Sequence, residues 1–274
     1  SAEEVGCGRL ILACNGYGGN RELVAKHIAS MADALYFGHP GNQGDALLWG
    51  EALGARTRHL GGHQGHGSVA HPVGILISWA TITEGGFQVN AGGRRFSNEA
   101  RGYSEQAAEV LKQPGGVAWS VFDTRIAGIA RQFEDFRRAE GMGAILTAPD
   151  VAGLAARMAV DPEALADTFD SVASFVEGKA TDPLGRSFEG AGRLAPPYCA
   201  VRVAGALFHT QGGLVTDTDG RVIGGDGRPL PNLYAAGGAA CGVSGNDASG
   251  YLSGNGLLMA VTLGHAAGRH AAIR

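Results

Sequence analysis

The sequence predicts an α/β protein in which a glycine-rich domain, built from two separated segments, is interrupted by an α+β insert. Three observations carry this. Arg9 to Cys14 (RLILAC) is a continuous apolar run followed at once by NGYGGN, the pattern of a buried strand ending in a glycine-rich turn. Near the other end, a short apolar strand from Leu233 to Ala236 passes through a long Gly/Ala/Ser loop into a helix. Between about Val73 and Val203 the chain is more charged and poorer in glycine than its flanks. The expected division is 1–72 and 204–274 for the outer domain and 73–203 for the insert.

Composition narrows the function classes. The 274 residues include 46 glycines, spread without a collagen-like period or a low-complexity block, as in chains with many tight turns and close backbone approaches. Net charge is −4 and the basic residues are scattered, so neither a nucleic-acid nor a membrane partner is expected. Cys7, Cys14, Cys199 and Cys241 show no CxxC spacing and sit in apolar surroundings; they are expected to be reduced, buried and inert. With no signal peptide or long apolar span read, a cytoplasmic location is expected.

In chain order, a helix is expected from Arg21 and another from Asp45 to Leu53, where Asp45 either caps the helix or touches a ligand. The segment HLGGHQGHGSVAHP reads as a polar loop beside a cleft, and no metal site is expected because no Cys or acidic ligand accompanies its histidines. GILISWATI and GGFQVNAGGRRFSNE read as strands with a turn at Ala91-Gly92-Gly93, then a helix from Ser104 to Lys112 and a strand at WSVFD. Helices follow at Ile126 to Glu140, Val151 to Met158 and Pro162 to Glu177, the last with Asp161 as N-cap and Pro162 in the first position. LVTDTDGRVI reads as a hairpin turning at Asp219-Gly220.

The terminal helix is expected to open with Ser253-Gly254-Asn255-Gly256. Gly256, Ala260, Gly264, Gly268 and Ala272 recur every four residues and lie on one face. Each glycine inside a helix costs about 0.5–1 kcal/mol relative to Ala, so something is expected close to that backbone. Packing on a sheet and a flat ligand at the helix N-terminus both answer to this.

The ordered motifs ILACNGYGGN, GNQGDALLWGEALGA, GGFQVNAGGRRFSNE, LFHTQGGL and LPNLYAAGG, with the terminal small-residue helix, resemble the fumarate reductase and succinate dehydrogenase flavoprotein superfamily. The likeness is greatest to its soluble branch, which includes the 3-ketosteroid dehydrogenases. It implies a two-segment FAD domain of Rossmann-like type, interrupted by a substrate-capping domain, and two-electron chemistry on a carbon–carbon bond beside a carbonyl or carboxylate. The family's opening GxGxxG turn cannot be placed, since Gly6 and Gly8 precede their strand, so the FAD domain is expected to be incomplete. Where the family commonly has an acidic residue after LYAAG, this sequence has Gly238.

The resemblance also implies roles. Tyr251 and Ser253 match a Tyr, with a Ser two residues on, before the last glycine-rich helix start in ketosteroid-acting relatives; a phenol near an enolate can give or take a proton. Tyr251 can equally be a packing residue. His209 and Thr210 match a substrate-binding HT pair, Glu99 matches an acidic interface position unless it simply pairs with Arg94 or Arg95, and Arg125 lies near a proton-donating Arg. For FAD, the backbone of Gly254, Asn255, Gly256 and Leu257 is expected at the flavin edge, with Gly237, Gly238, Asn15, Gly16, Gly18, Gly19 and Asp45 as further candidates. Partners are a small-molecule substrate and an unidentified electron donor or acceptor. A dehydrogenase or reductase acting on an apolar ketone is expected, against two alternatives: a fumarate-reductase-like enzyme for an unsaturated acid, and a non-catalytic homologue.

Overall fold

The structure, a computed structural model, describes residues 3–273. The chain begins β1 (Leu10–Leu12), α1 (Arg21–His27), β2 (Leu35–Tyr36), α2 (Asp45–Ala52), β3 (Thr57–Arg58), β4 (His63–Ala70), β5 (Ile75–Leu76), α3 (Ala80–Thr83) and β6 (Phe87–Val89). It continues α4 (Tyr103–Leu111), β7 (Val117–Asp123), α5 (Thr124–Ala130), α6 (Glu134–Gly141), β8 (Ile145–Ala148), α7 (Val151–Met158) and α8 (Pro162–Val176). It closes with β9 (Tyr198–Thr210), β10 (Gly213–Leu214), β11 (Arg221–Ile223), β12 (Pro229–Ala235) and α9 (Asn255–Ala272). Two compact units result. Unit 1 holds residues up to 32, 36–64 and 207 onward, and unit 2 holds 33–35 and 65–206. The breaks fall after Gln64 and Ala206, whereas the change of composition puts them after 72 and 203.

In unit 1, β12 is flanked by β1, parallel with Leu10 opposite Leu233, and by β11, antiparallel. A small core of Leu12, Ala46, Leu214, Val222, Leu233 and Ala235 lies on this sheet, with Leu263 of α9 against it. The expected fully buried first strand is corrected here: Leu12 is buried, but Leu10 and Ile11 are 46% and 37% exposed, because β1 is the sheet edge among the described residues. The side chain of Asn20 caps α1, accepting from Leu23 N at 3.1 Å. At α2 the N-cap is Gly44 in the left-handed region (φ 88°), so Asp45 sits in the first turn, beside the positive helix end, and caps nothing. The turn at Asp219-Gly220 is present, with Gly220 at φ 75° and its N–H donating to Asp217 O.

The terminal helix begins at Asn255, two residues later than expected, because Gly254 is left-handed (φ 91°) and cannot continue into α-helical geometry. Its small-residue face is not tightly packed as a whole. A Cβ on Gly264 or Gly268 would meet nothing within 4 Å, while Gly256 is approached by His209 and Ala260 by Gly237; beside the stripe, Ala267 is approached by Gly220.

The larger sheet runs β5-β4-β9-β7-β6, with β2 and β8 also pairing β9. β7 and β9 pair antiparallel over Val117↔Ala204 to Asp123↔Tyr198. The core of unit 2 includes Phe87, Phe122, Ile126, Phe136, Leu154 and Leu165. Several expectations are corrected. From His63 to Ala70 the histidine-rich segment is a mostly buried strand, β4, and not a polar loop; Gly67 admits a close neighbour, a Cβ there falling 2.8 Å from Gln106. GILISWATI gives only the two-residue β5 and then α3. The turn after Val89 closes with Asn90 N donating to Arg94 O, yet β6 pairs with β7 and not with the residues that follow the turn. The helix expected over 126–140 is two, α5 and α6. At α8 the Asp161 side chain accepts from the backbone of Glu163 and Ala164, with Pro162 in the first turn. The four cysteines are free, but Cys7 and Cys14 are exposed and Cys241 is half-buried, leaving Cys199 as the buried one. Among the described residues no helix is long and apolar enough to cross a membrane.

Candidate functional site

A cavity of about 470 Å³ lies within unit 1. Its walls come from the end of β1 (Ala13, Asn15), from Gln64 and His209, from the turn after β12 (Gly237, Gly238), from Tyr251, and from the start of α9 (Gly254, Gly256, Leu257, Ala260). Glycine supplies much of the wall, so backbone is close to whatever enters. Asn15 adopts a positive φ of 66°, and its Oδ1 accepts from Gly16 N at 2.9 Å. A Cβ on Gly238 would stand 2.1 Å from that same Oδ1. Asn15 thus fills the space a side chain at 238 would need, which gives a physical reason for glycine at this position.

The first turn of α9 faces the cavity with unused donors. Asn255 N donates to Leu252 O at 3.1 Å and Leu258 N to Gly254 O at 2.9 Å, whereas no acceptor among the described residues takes the N–H of Gly256 or Leu257. Both of these line the cavity at the positive end of an 18-residue helix. Such an end favours an electron-rich or anionic edge. The backbone N–H of Asn255, expected to face a ligand, is occupied instead, and its buried side chain donates to Ser244 Oγ at 2.8 Å.

His209 lies against Gly256, with ring atoms 3.6–3.9 Å from where a Cβ would be. Burial holds its imidazole below the usual histidine range, and the backbone of Thr210 partly opposes this, so the ring is neutral near pH 7. A neutral imidazole offers one donor and one acceptor nitrogen. Thr210 is buried and not in the cavity wall; its Oγ1 accepts from Tyr17 N at 3.3 Å and stands where a Cβ on Gly16 would fall. It holds the Asn15-Gly16-Tyr17 loop, as does Tyr17, whose hydroxyl donates to Leu60 O.

Other sequence candidates lie elsewhere. Gly18 packs on the Tyr36 ring, Gly19 N donates to Asn42 O at 2.9 Å, and Ser253 is exposed outside the cavity. Asp45 is half-buried in the first turn of α2 and is not a wall residue. In unit 2, Glu99 is fully buried and spoken for: it accepts from Arg95 at 2.7 Å, Arg186 at 3.3 Å and Gln88 N at 2.9 Å. The buried Arg95 also meets Asp182 at 3.0 Å, and the Arg186 guanidinium lies 4.3 Å over the Phe188 ring. Arg125 is exposed on α5 and donates to Glu84 O at 2.9 Å. Wall residues that the sequence did not single out are Ala13 and Gln64, and behind the wall Gln211 and Ser244. For Gln211 the signal was present, since it directly follows the HT pair.

Among relatives, a probable fumarate reductase of Shewanella frigidimarina is 30% identical over 268 residues, 98% of this chain and 45% of that protein. A 3-oxosteroid 1-dehydrogenase of Mycobacterium tuberculosis is 28% identical over 299 residues, 96% of this chain and 52% of that one. The solved open conformation of a flavocytochrome c3 fumarate reductase aligns with a TM-score of 0.77 at 28% identity, over 97% of this chain and 46% of that one. The chain spans about half the length of the curated relatives it matches. The family described as FAD binding domain matches residues 4–257, which carry the glycine cradle and reach the first turn of α9, and the chain belongs to that family.

Proposed function

We propose that this chain is the flavin-bearing part of an oxidoreductase that adds or removes hydrogen across a carbon–carbon bond beside a carbonyl, on an apolar ketone of 3-oxosteroid type. The observation that carries it is the meeting, in one cavity of unit 1, of the free N–H groups at the start of α9 with Gly237, Gly238 and Asn15, and of all these with His209 and Tyr251. Unit 1 is read as the FAD domain, of Rossmann-like type, and unit 2 as the inserted substrate domain.

The cradle fits FAD. Glycine walls admit a flat ring, and the N–H groups of Gly256 and Leu257 suit an edge that becomes more negative on reduction. Bound FAD supplies the hydride acceptor or donor. Tyr251 is assigned the proton at the neighbouring carbon, and His209 the carbonyl oxygen, on which negative charge builds. No Lys or Arg stands between Arg228 and Arg269, so the segment that carries Tyr251 brings no cation to grip a carboxylate. The second reading, reduction of an unsaturated carboxylic acid, draws support from the fumarate reductase relative. The free cysteines favour a reducing, cytoplasmic setting.

Titrating FAD into the purified protein while following flavin absorbance tests the cofactor assignment; saturable binding is expected. A protein that takes up no FAD favours a non-catalytic role. Turnover is then compared on a 3-oxosteroid with an artificial electron acceptor and on fumarate with a reduced dye. Tyr251→Phe is expected to lose about 10²–10⁴ in turnover of the ketone with flavin still bound. Undiminished turnover would remove Tyr251 from the acid/base role, and turnover of fumarate alone would establish the second reading.

A further inference from the structure

Behind the cavity wall, four polar side chains of unit 1 form a continuous hydrogen-bond chain. Asn255 Nδ2 donates to Ser244 Oγ at 2.8 Å, Ser244 Oγ donates to Gln211 Oε1 at 3.2 Å, and Gln211 Nε2 lies 3.0 Å from His209 Nδ1. Gln211, Ser244 and Asn255 are 3%, 2% and 6% exposed, so water does not compete for these contacts. A chain of this kind has two possible polarities. In one, every proton points away from α9 and Nδ1 of His209 accepts; in the other, every amide is reversed and Nδ1 carries the proton.

The placement of the two amides decides between them. Asn255 turns Nδ2 to Ser244 Oγ, Ser244 Oγ meets Gln211 Oε1, and the Gln211 amide nitrogen, which can only donate, is the atom that faces Nδ1. From this the geometry points to Gln211 as a positioning residue that, through Ser244 and Asn255, holds His209 as the Nε2–H tautomer with Nδ1 as acceptor. The ring then has a fixed donor. The consequence for catalysis, that this donor serves a carbonyl oxygen, rests on the proposed function; the tautomer itself does not.

The test is long-range ¹H–¹⁵N correlation spectroscopy of the histidine rings at neutral pH, with His209→Gln identifying the signals of His209. A bare ring nitrogen resonates far downfield of a protonated one, so the tautomer is read directly. Wild type is expected to show Nδ1 bare and Nε2 protonated. Gln211→Glu, which offers Nδ1 only an acceptor, is expected to move Nδ1 to the protonated position while the other histidines stay in place. Gln211→Leu is expected to bring both nitrogens toward averaged positions. A wild-type ring protonated at Nδ1, or a His209 spectrum unchanged in Gln211→Glu, overturns the proposal, and the wild-type spectrum decides even if a variant fails to fold. Absence of ketone turnover would count against the proposed function and leave the tautomer result standing.

Discussion

Asn15 and Gly238 compete for one space, and the competition can be measured. A methyl group at 238 would fall 2.1 Å from Asn15 Oδ1, with Gly16 N at 3.1 Å. Overpacking of this kind costs about 1–3 kcal/mol. Gly238→Ala is therefore expected to lower stability to urea by that amount, and Asn15→Gly in the same chain to recover much of it, a coupling visible in a double-mutant cycle. Additive effects would show that Asn15 is not what excludes a side chain at 238. The sequence marks Gly238 as a departure from the family but cannot show why, because the residue that fills the space stands at the other end of the chain. A second residue-scale prediction concerns His66, stacked on the Tyr103 ring at 4.8 Å and edge-on to Trp79 at 5.7 Å. Burial pushes its pKa down to about 3. A histidine that titrates lower when folded binds its proton preferentially in the unfolded chain. Its contribution is thus present above about pH 6.5 and is lost as pH falls toward 3. Between pH 7 and pH 5 this amounts to about 2 kcal/mol. Urea midpoints at the two pH values, compared in wild type and His66→Phe, check it: the variant is expected to show a flatter pH dependence, and an equal slope would rule His66 out as the source.

At the scale of elements, α9 shows what a periodic pattern can and cannot tell. The stripe Gly256, Ala260, Gly264, Gly268 and Ala272 is real, but only its first part is approached closely, at Gly256 by His209 and at Ala260 by Gly237. Gly264 and Gly268 have open space at the Cβ position and helical backbone, so alanine fits both without strain. Each replacement is expected to raise stability by about 0.5–1 kcal/mol through helix propensity alone, read as a higher thermal midpoint. A loss on Gly264→Ala would mean that the backbone there is approached after all. Other elements divide by the kind of signal they carry. The start of α8 was legible because Asp161 and Pro162 encode it locally. β9, the longest strand described, carries no continuous local signal, since Gly205 interrupts its apolar run. The reason for that glycine is tertiary: a Cβ there would stand 2.3 Å from Ala107 O. β4 is hidden in the same way, its Gly67 reading as loop when it makes room for Gln106.

At the scale of the molecule, the change of composition puts the breaks after 72 and 203 while the two units divide after Gln64 and Ala206, because composition averages over long segments and cannot fix a boundary. The cavity could be read only in part. Its glycines and Tyr251 belong to motifs and Ala260 to the small-residue stripe, whereas Gln64 and Ala13 reach it through folding and carry no local mark. Unit 1 has the smaller apolar cluster, built on Leu12, Leu214, Val222 and Leu233, and it is also the unit that holds the proposed FAD site. A ligand that binds only the folded form stabilises it by RT ln(1 + [L]/Kd), which is about 2.7 kcal/mol at one hundred times Kd. Amide exchange should register this locally. At that FAD concentration, amides of β1, β12 and the first turns of α9 that exchange by opening the cradle are expected to slow by about 100-fold. Amides of β7 in unit 2 that exchange without opening the cradle should keep their rates. If saturating FAD leaves β1, β12 and α9 unchanged, the cofactor does not lie in this cavity, and the roles assigned to His209 and Tyr251 fall with it.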